Sequence, residues 1–96
     1  MIQSFGGGAT EDLAAGKNTA RARKIPAELR RSALRKLQLI NRAMNLNDLR
    51  VPPGNRLEAL SGELAGYHSI RINDQWRVIF RWVDGDAFDV EITDYH

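Results

Sequence analysis

The 96-residue chain reads as a two-layer α+β domain, an antiparallel β-meander with N-terminal helices packed on one of its faces. Three observations predict this. Between residues 26 and 44, apolar side chains recur at spacings of three and four, which is one stripe of an amphipathic helix. From residue 67 onward, apolar and polar residues alternate with the period of half-buried strands. The links between these later runs are short and hold Asn, Asp and Gly, which favours neighbouring antiparallel strands. An apolar helix face and an apolar sheet face then bury each other around a single core, and residues 1–96 form one domain.

Each element follows from its residues. Residues 2–5 suit a short first strand, broken by Gly6-Gly7-Gly8. These glycines are not a phosphate-cradling loop, because no G-K-[ST] follows them. Thr10 is expected to cap a short helix over residues 11–15, which Gly16 ends. Pro26 sits where prolines open helices. In the long helix Leu29, Ala33, Leu37, Ile40 and Met44 form the core stripe, while Arg31, Arg35, Gln38 and Arg42 line another face. Residues 45–55 are rich in turn formers and read as a loop. Strands are expected near 56–60 and over 67–72, 76–83 and 88–95.

Strand register carries chemical information, since a one-residue slip would turn a whole apolar set toward water. Placing the apolar sets together pairs Ile72 with Trp76, Ile70 with Val78, Phe80 with Val90, and Trp82 with Phe88. The opposite face is then polar. Arg81 lies across from Asp89 as an ion pair. Arg71 lies across from Arg77, where like charges are unfavourable by about half a kcal/mol. Either both side chains reach into water or the two guanidiniums await a phosphate, which the planar fork of arginine suits. Tyr67 and Tyr95 share this face and can stack on an unpaired base. Strict alternation leaves Asp94 and His96 on the apolar side, at its frayed end.

Composition limits the function classes. The chain has no cysteine, so disulfides and thiolate metal sites are excluded and a reducing compartment fits. Its two histidines, His68 and His96, have no metal-binding spacing, and neither a metal nor another cofactor is expected. No apolar run approaches the roughly 18 residues of a membrane span, and no leader pattern opens the chain. A soluble cytoplasmic protein is the expectation. Charge is uneven: residues 1–60 hold eleven Lys/Arg against five Asp/Glu, and residues 61–96 hold three against seven. A basic half is either a solvated helix face or the footprint of a polyanionic partner.

The segments Asn47-Asp48-Leu49, residues 53–60, residues 67–77 with their Trp76-Arg77 pair, and the terminal Asp94-Tyr95-His96 resemble the HigB branch of the RelE/ParE toxin superfamily. The similarity covers nearly the whole chain and is strongest in its second half. It implies a RelE-like fold and a toxin of a type II toxin–antitoxin pair that cleaves messenger RNA on the ribosome without a metal. It also implies a helix-turn-helix antitoxin of the HigA type, through whose complex alone operator DNA is met. Residue by residue, it carries catalytic roles to Arg77, Asp94, Tyr95 and His96. Arg71, Ser61, Tyr67, Arg31 and Arg35 are candidates for holding RNA or its phosphates. In metal-free cleavage a base takes the ribose 2′ proton, an acid protonates the leaving 5′ oxygen, and a cation holds the phosphorane charge. His96 titrates in the range for acid or base work, and Asp94 can orient it or share its proton. The alternative is an interaction toxin that binds its antitoxin or a gyrase-type target without cleaving RNA.

Two positions depart from the family pattern. Related toxins often carry lysine where this chain has Ser61, and sometimes histidine where it has Glu58. Removing one charge-assisted hydrogen bond costs about 1.5–3 kcal/mol, or one to two orders of magnitude in rate. A weaker nuclease follows unless another cation, such as Arg71, substitutes.

Overall fold

Helix α2 (Arg30–Arg42) covers the sheet with its apolar stripe, and Ala33, Leu37 and Ile40 are buried. Pro26 opens a 3-10 turn, Ala27–Leu29, that leads into it. The helix stops before Met44, which was expected to finish the stripe and instead is 83% exposed. The cause is local. The Asp48 carboxylate accepts hydrogen bonds from the Met44 and Asn45 N–H groups at 2.9 and 3.2 Å and draws the chain into a new turn. Ala43, one residue earlier, takes the core place. The expected loop over 45–55 holds two 3-10 turns, Leu46–Arg50 and Pro53–Asn55, which bury Leu49 and Asn55.

The computed structural model describes residues 1–94. Its sheet consists of β1 (Glu58–Ala59), β2 (Tyr67–Arg71), β3 (Trp76–Val83) and β4 (Asp86–Asp94). They pair antiparallel in chain order, which is the predicted meander. Residues 2–5 run parallel to the outer edge of β4 through bridges at Ile2/Ala87 and Phe5/Val90, and so pair an edge that would otherwise template aggregation. Ile70, Val78, Phe80, Ala87, Val90 and Ile92 face α2 in one apolar cluster. Among the described residues no helix is long and apolar enough to cross a membrane.

Between β2 and β3 the register is the expected one, with Ile70 opposite Val78 and Arg71 opposite Arg77. Between β3 and β4 it slips by one residue at Phe80. Trp82 pairs with Ala87 rather than Phe88, and Arg81 has Phe88 opposite it. Asp89 takes a left-handed φ of +53°, which Asp tolerates better than bulkier residues. The Ser4 hydroxyl accepts the Asp89 N–H at 2.8 Å, stabilising this bulge. Packing explains the slip: small Ala87 is fully buried beneath the helix layer, whereas Phe88 passes to the other face, its ring centroid 5.9 Å from the Arg81 guanidinium. The predicted ion pair survives, with Arg81 Nε donating to Asp89 Oδ2 at 2.8 Å.

Helix α1 (Gly8–Ala14) begins before Thr10, so Thr10 does not cap it. Its hydroxyl is buried and accepts the Ile92 N–H at 2.9 Å, which ties α1 to β4. Gly16, at φ +75°, follows the helix end as expected. Asp12 clamps the basic segment after α1. It accepts from Thr19 at 2.6 Å and from two nitrogens of Arg21 at 3.0 Å. These hydrogen bonds, Thr19's first and Arg21's second, hold its carboxyl below the ordinary 3.8. A depressed folded-state value gives stability that is complete above pH 3.8 and lost as pH falls through the lower folded value. Asp12→Asn is therefore expected to flatten the acid-side fall of the melting temperature below about pH 4, as thermal melts across pH will show.

Candidate active site

The polar face of the sheet gathers the sequence-predicted arginines. Short β1 places Glu58 opposite Ser69, and β2 places Arg71 opposite Arg77. Arg77 Nη1 donates to the Ser69 hydroxyl at 3.0 Å, and its Nη2 lies 3.6 Å from Glu58 Oε1. Ser69 is fully buried, the Arg77 side chain is 15% exposed and Glu58 is half exposed. The guanidinium is thus anchored from below and bordered by a carboxylate at the surface. Such an anchored fork is oriented before a ligand arrives, so less freedom is lost on binding a phosphate.

Arg71 forms an ion pair with Asp74 of the following turn. The like-charged Arg71/Arg77 pair therefore carries a carboxylate at each member, which offsets its repulsion. Tyr67 lies opposite Arg81 on the same face, as expected. The hydrogen bond and charge of Asp89 hold the Arg81 guanidinium above its ordinary value.

Asp94 ends β4, exposed and opposite Trp76, while its neighbour Thr93 lies opposite Arg77. Gln75 Nε2 donates to Asp94 Oδ2 at 2.9 Å. The end of β4 at Asp94 thus lies at the same corner of the sheet as Arg77, although alternation gives Asp94 the face of Trp76. Tyr95 and His96 lie outside the described residues.

The remaining candidates lie elsewhere. Ser61 is exposed in the β1–β2 connection, where it leads into a 3-10 turn at Gly62–Leu64. Arg31 and Arg35 are exposed on α2, in the layer behind the sheet face that carries Arg77. Arg35 lines a groove of about 330 Å³ together with Ser32, Lys36, Leu39, Pro52 and Ile72. Lys36 Nζ donates to the side-chain Oδ1 of the buried Asn55, whose Nδ2 in turn donates to the backbone carbonyls of Leu49 and Val51. Burial, followed by the charges of Arg35 and Arg71, pushes the Lys36 ammonium below the usual lysine range.

Sequence reading missed Glu58 and Lys36 as members of charged clusters. The signal for Glu58 was its place in a short strand, where pairing with residues 68–69 would have turned it toward Arg77. Lys36 falls outside the Arg31–Arg35–Arg42 stripe, and only the packing of the 45–55 segment against α2 brings it to a groove.

The sequence pattern of the RelE-like toxin of the type II toxin–antitoxin system HigB matches residues 16–96. The chain is 49% identical over 69 residues to Toxin HigB-1 of Vibrio cholerae, covering 72% of this chain and 73% of that one. It is 35% identical over 65 residues to Endoribonuclease HigB of Proteus vulgaris, covering 64% and 65%. In fold it is similar to a point mutant of YafQ from E. coli, with TM-score 0.66, 15% identity and coverage of 98% of this chain and 91% of that one. It is also similar to a chain of the YoeB-YefM complex of Staphylococcus aureus, with TM-score 0.61, 21% identity and coverage of 100% and 98%. A meander covered by N-terminal helices, a Trp76-Arg77 pair on its central strand and a pattern match across most of the sequence lead to one assignment: the chain belongs to the HigB family of RelE-like toxins of type II toxin–antitoxin systems.

Proposed function

We propose that the protein is a cytoplasmic, ribosome-dependent endoribonuclease that cleaves messenger RNA without a metal and so stops translation. The observation that carries this reading is the Arg77 guanidinium, anchored on Ser69, bordered by Glu58 and set beside β4, whose last residue is Asp94. The name of the Proteus vulgaris relative supports the nuclease activity. Membership of a type II family brings an antitoxin partner. We assign that partner to the HigA helix-turn-helix type, with operator DNA contacted only through the complex.

In this reading the ribose 2′ oxygen attacks the adjacent phosphorus and its proton passes to a carboxylate, for which Glu58 beside Arg77 is the candidate. The bond from phosphorus to the 5′ oxygen breaks, and His96 gives that oxygen a proton. A 2′,3′-cyclic phosphate and a 5′-hydroxyl result. Arg77 holds the phosphorane charge as it develops, with Arg71 as the second cation. Asp94 orients His96, and Tyr67 and Tyr95 stack against the bases. Arg71 stands in for the cation that lysine-bearing relatives carry where this chain has Ser61.

The test is to map messenger RNA 5′ ends after induced expression. Cuts at codon spacing are expected for the native sequence. His96→Ala should abolish them and relieve growth arrest. Equal cutting by both proteins would remove His96 from the site, and intact messenger RNA during growth arrest would overturn the nuclease reading.

A further inference from the structure

We propose that the groove between α2 and the 45–55 segment, lined by Ser32, Arg35 and Lys36, is a second phosphate site that holds the RNA strand one or more nucleotides from the bond being cut. The inference rests on the nuclease reading and adds a path for the substrate.

Three observations point to an anion. First, three cations lie near one another here, and among the described residues only Arg71 of the three has a carboxylate partner, Asp74, in the turn after β2. Arg35 and Lys36 line the groove, and Arg71 is close enough for its charge to act on Lys36. Their mutual repulsion is an unfavourable arrangement that a bound phosphate relieves. Second, the cations are presented rather than loose. Lys36 is held through Asn55, which is fully buried and itself fixed by two backbone carbonyls. Arg35 Nη2 donates to the Ser32 hydroxyl at 3.3 Å, so the hydroxyl and guanidinium share one rim. Third, the groove adjoins the candidate site through the end of β2. Arg71 sits directly opposite Arg77, and opposed Cα atoms in antiparallel strands are about 4.5–5.5 Å apart. Beyond Arg71, Ile72 forms part of the groove wall.

A line of cations therefore runs from Arg77 through Arg71 to Lys36 and Arg35, around the part of β2 that two-residue β1 leaves uncovered. The rest of the lining suits a nucleotide: Leu39, Pro52 and Ile72 offer apolar surface to a ribose or base while the cations take the phosphate. An acidic peptide would satisfy the same charges. The nearness of the Arg71/Arg77 pair to the groove wall at Ile72 favours RNA, because a polynucleotide presents regularly spaced phosphates to both places.

The experiment uses the full chain and a fluorescent single-stranded RNA carrying 2′-O-methyl groups, which cannot be cleaved by 2′ attack. Anisotropy gives its Kd over a series of salt concentrations for the native sequence, Arg35→Ala and the double variant Arg35→Ala/Lys36→Met. Arg35 bonds to Ser32 within its own helix, so Arg35→Ala keeps the proposal testable if removing the Lys36–Asn55 bond weakens the fold. About a tenfold rise in Kd is expected for Arg35→Ala and a larger one for the double variant. The slope of log affinity against log salt should fall by about 0.7 for each phosphate that is no longer neutralised. Unchanged affinity and slope in both variants would overturn the proposal, as would weakened antitoxin binding with RNA binding intact. Cleavage by Arg77→Ala, measured alongside on translating ribosomes, reports on the nuclease reading separately.

Discussion

Arg77→Ala is expected to lower single-turnover RNA cleavage on translating ribosomes by about 10²–10³-fold, the effect of removing one preoriented donor from a developing negative charge. The magnitude follows from how the side chain is held. Its Nη1 is committed to the Ser69 hydroxyl, and Ser69 is itself buried between β1 and β3, so the guanidinium does not have to be recruited during the reaction. In free energy this is about 2.7–4 kcal/mol of transition-state stabilisation. Stability should fall by less, about 1–2 kcal/mol, chiefly because a buried hydroxyl is left without this partner. Circular dichroism and thermal melting separate the two effects. Arg77→Lys restores charge without the planar fork and should recover only part of the rate. Full activity in Arg77→Ala would remove the guanidinium from the mechanism, and an unfolded variant would make Arg77→Lys the deciding measurement.

Much of this site was legible in the sequence, and the reason is geometric. Alternation has a period of two, so once burial fixes Ile70 against Val78, Arg71 must meet Arg77 on the far face. The same logic failed in β4, because alternation assumes an unbroken ladder and Asp89 inserts one extra residue. Phe88 was the side chain misassigned: its hydrophobicity argued for the core, yet the helix layer leaves room there only for Ala87, and the ring found cover against Arg81. Met44 was misplaced for a related reason, since helical spacing continues on paper past the point where Asp48 captures the backbone. Lys36 was illegible because its significance depends on Pro52 and Asn55, sixteen and nineteen positions away, folding back onto α2. Asp94, in contrast, stands where alternation put it, and family resemblance rather than spacing gave it a role.

Glu58→Gln should lower cleavage by about 10²–10⁴-fold, the range for loss of a positioned general base. This substitution distinguishes two roles that the geometry offers. If the carboxylate only holds Arg77 in place across 3.6 Å, the amide oxygen of glutamine still turns a partial negative charge toward the guanidinium, and the rate should stay within a few fold. If it takes the 2′ proton, glutamine cannot, and the chemical step fails while RNA binding persists. Glu58 is half exposed in a two-residue strand and its backbone pairing does not depend on the side chain, so the melting temperature should scarcely move. Glu58→His provides the complementary measurement. An imidazole at this position can accept the proton again, and the acid-side limb of its pH–rate profile should lie near the ordinary histidine value of about 6.5. Recovery with that limb identifies residue 58 as the proton acceptor. A fully active Glu58→Gln would instead return the role to the chain end, where His96 or Asp94 would have to serve as base and Glu58 would be left with the orientation of Arg77.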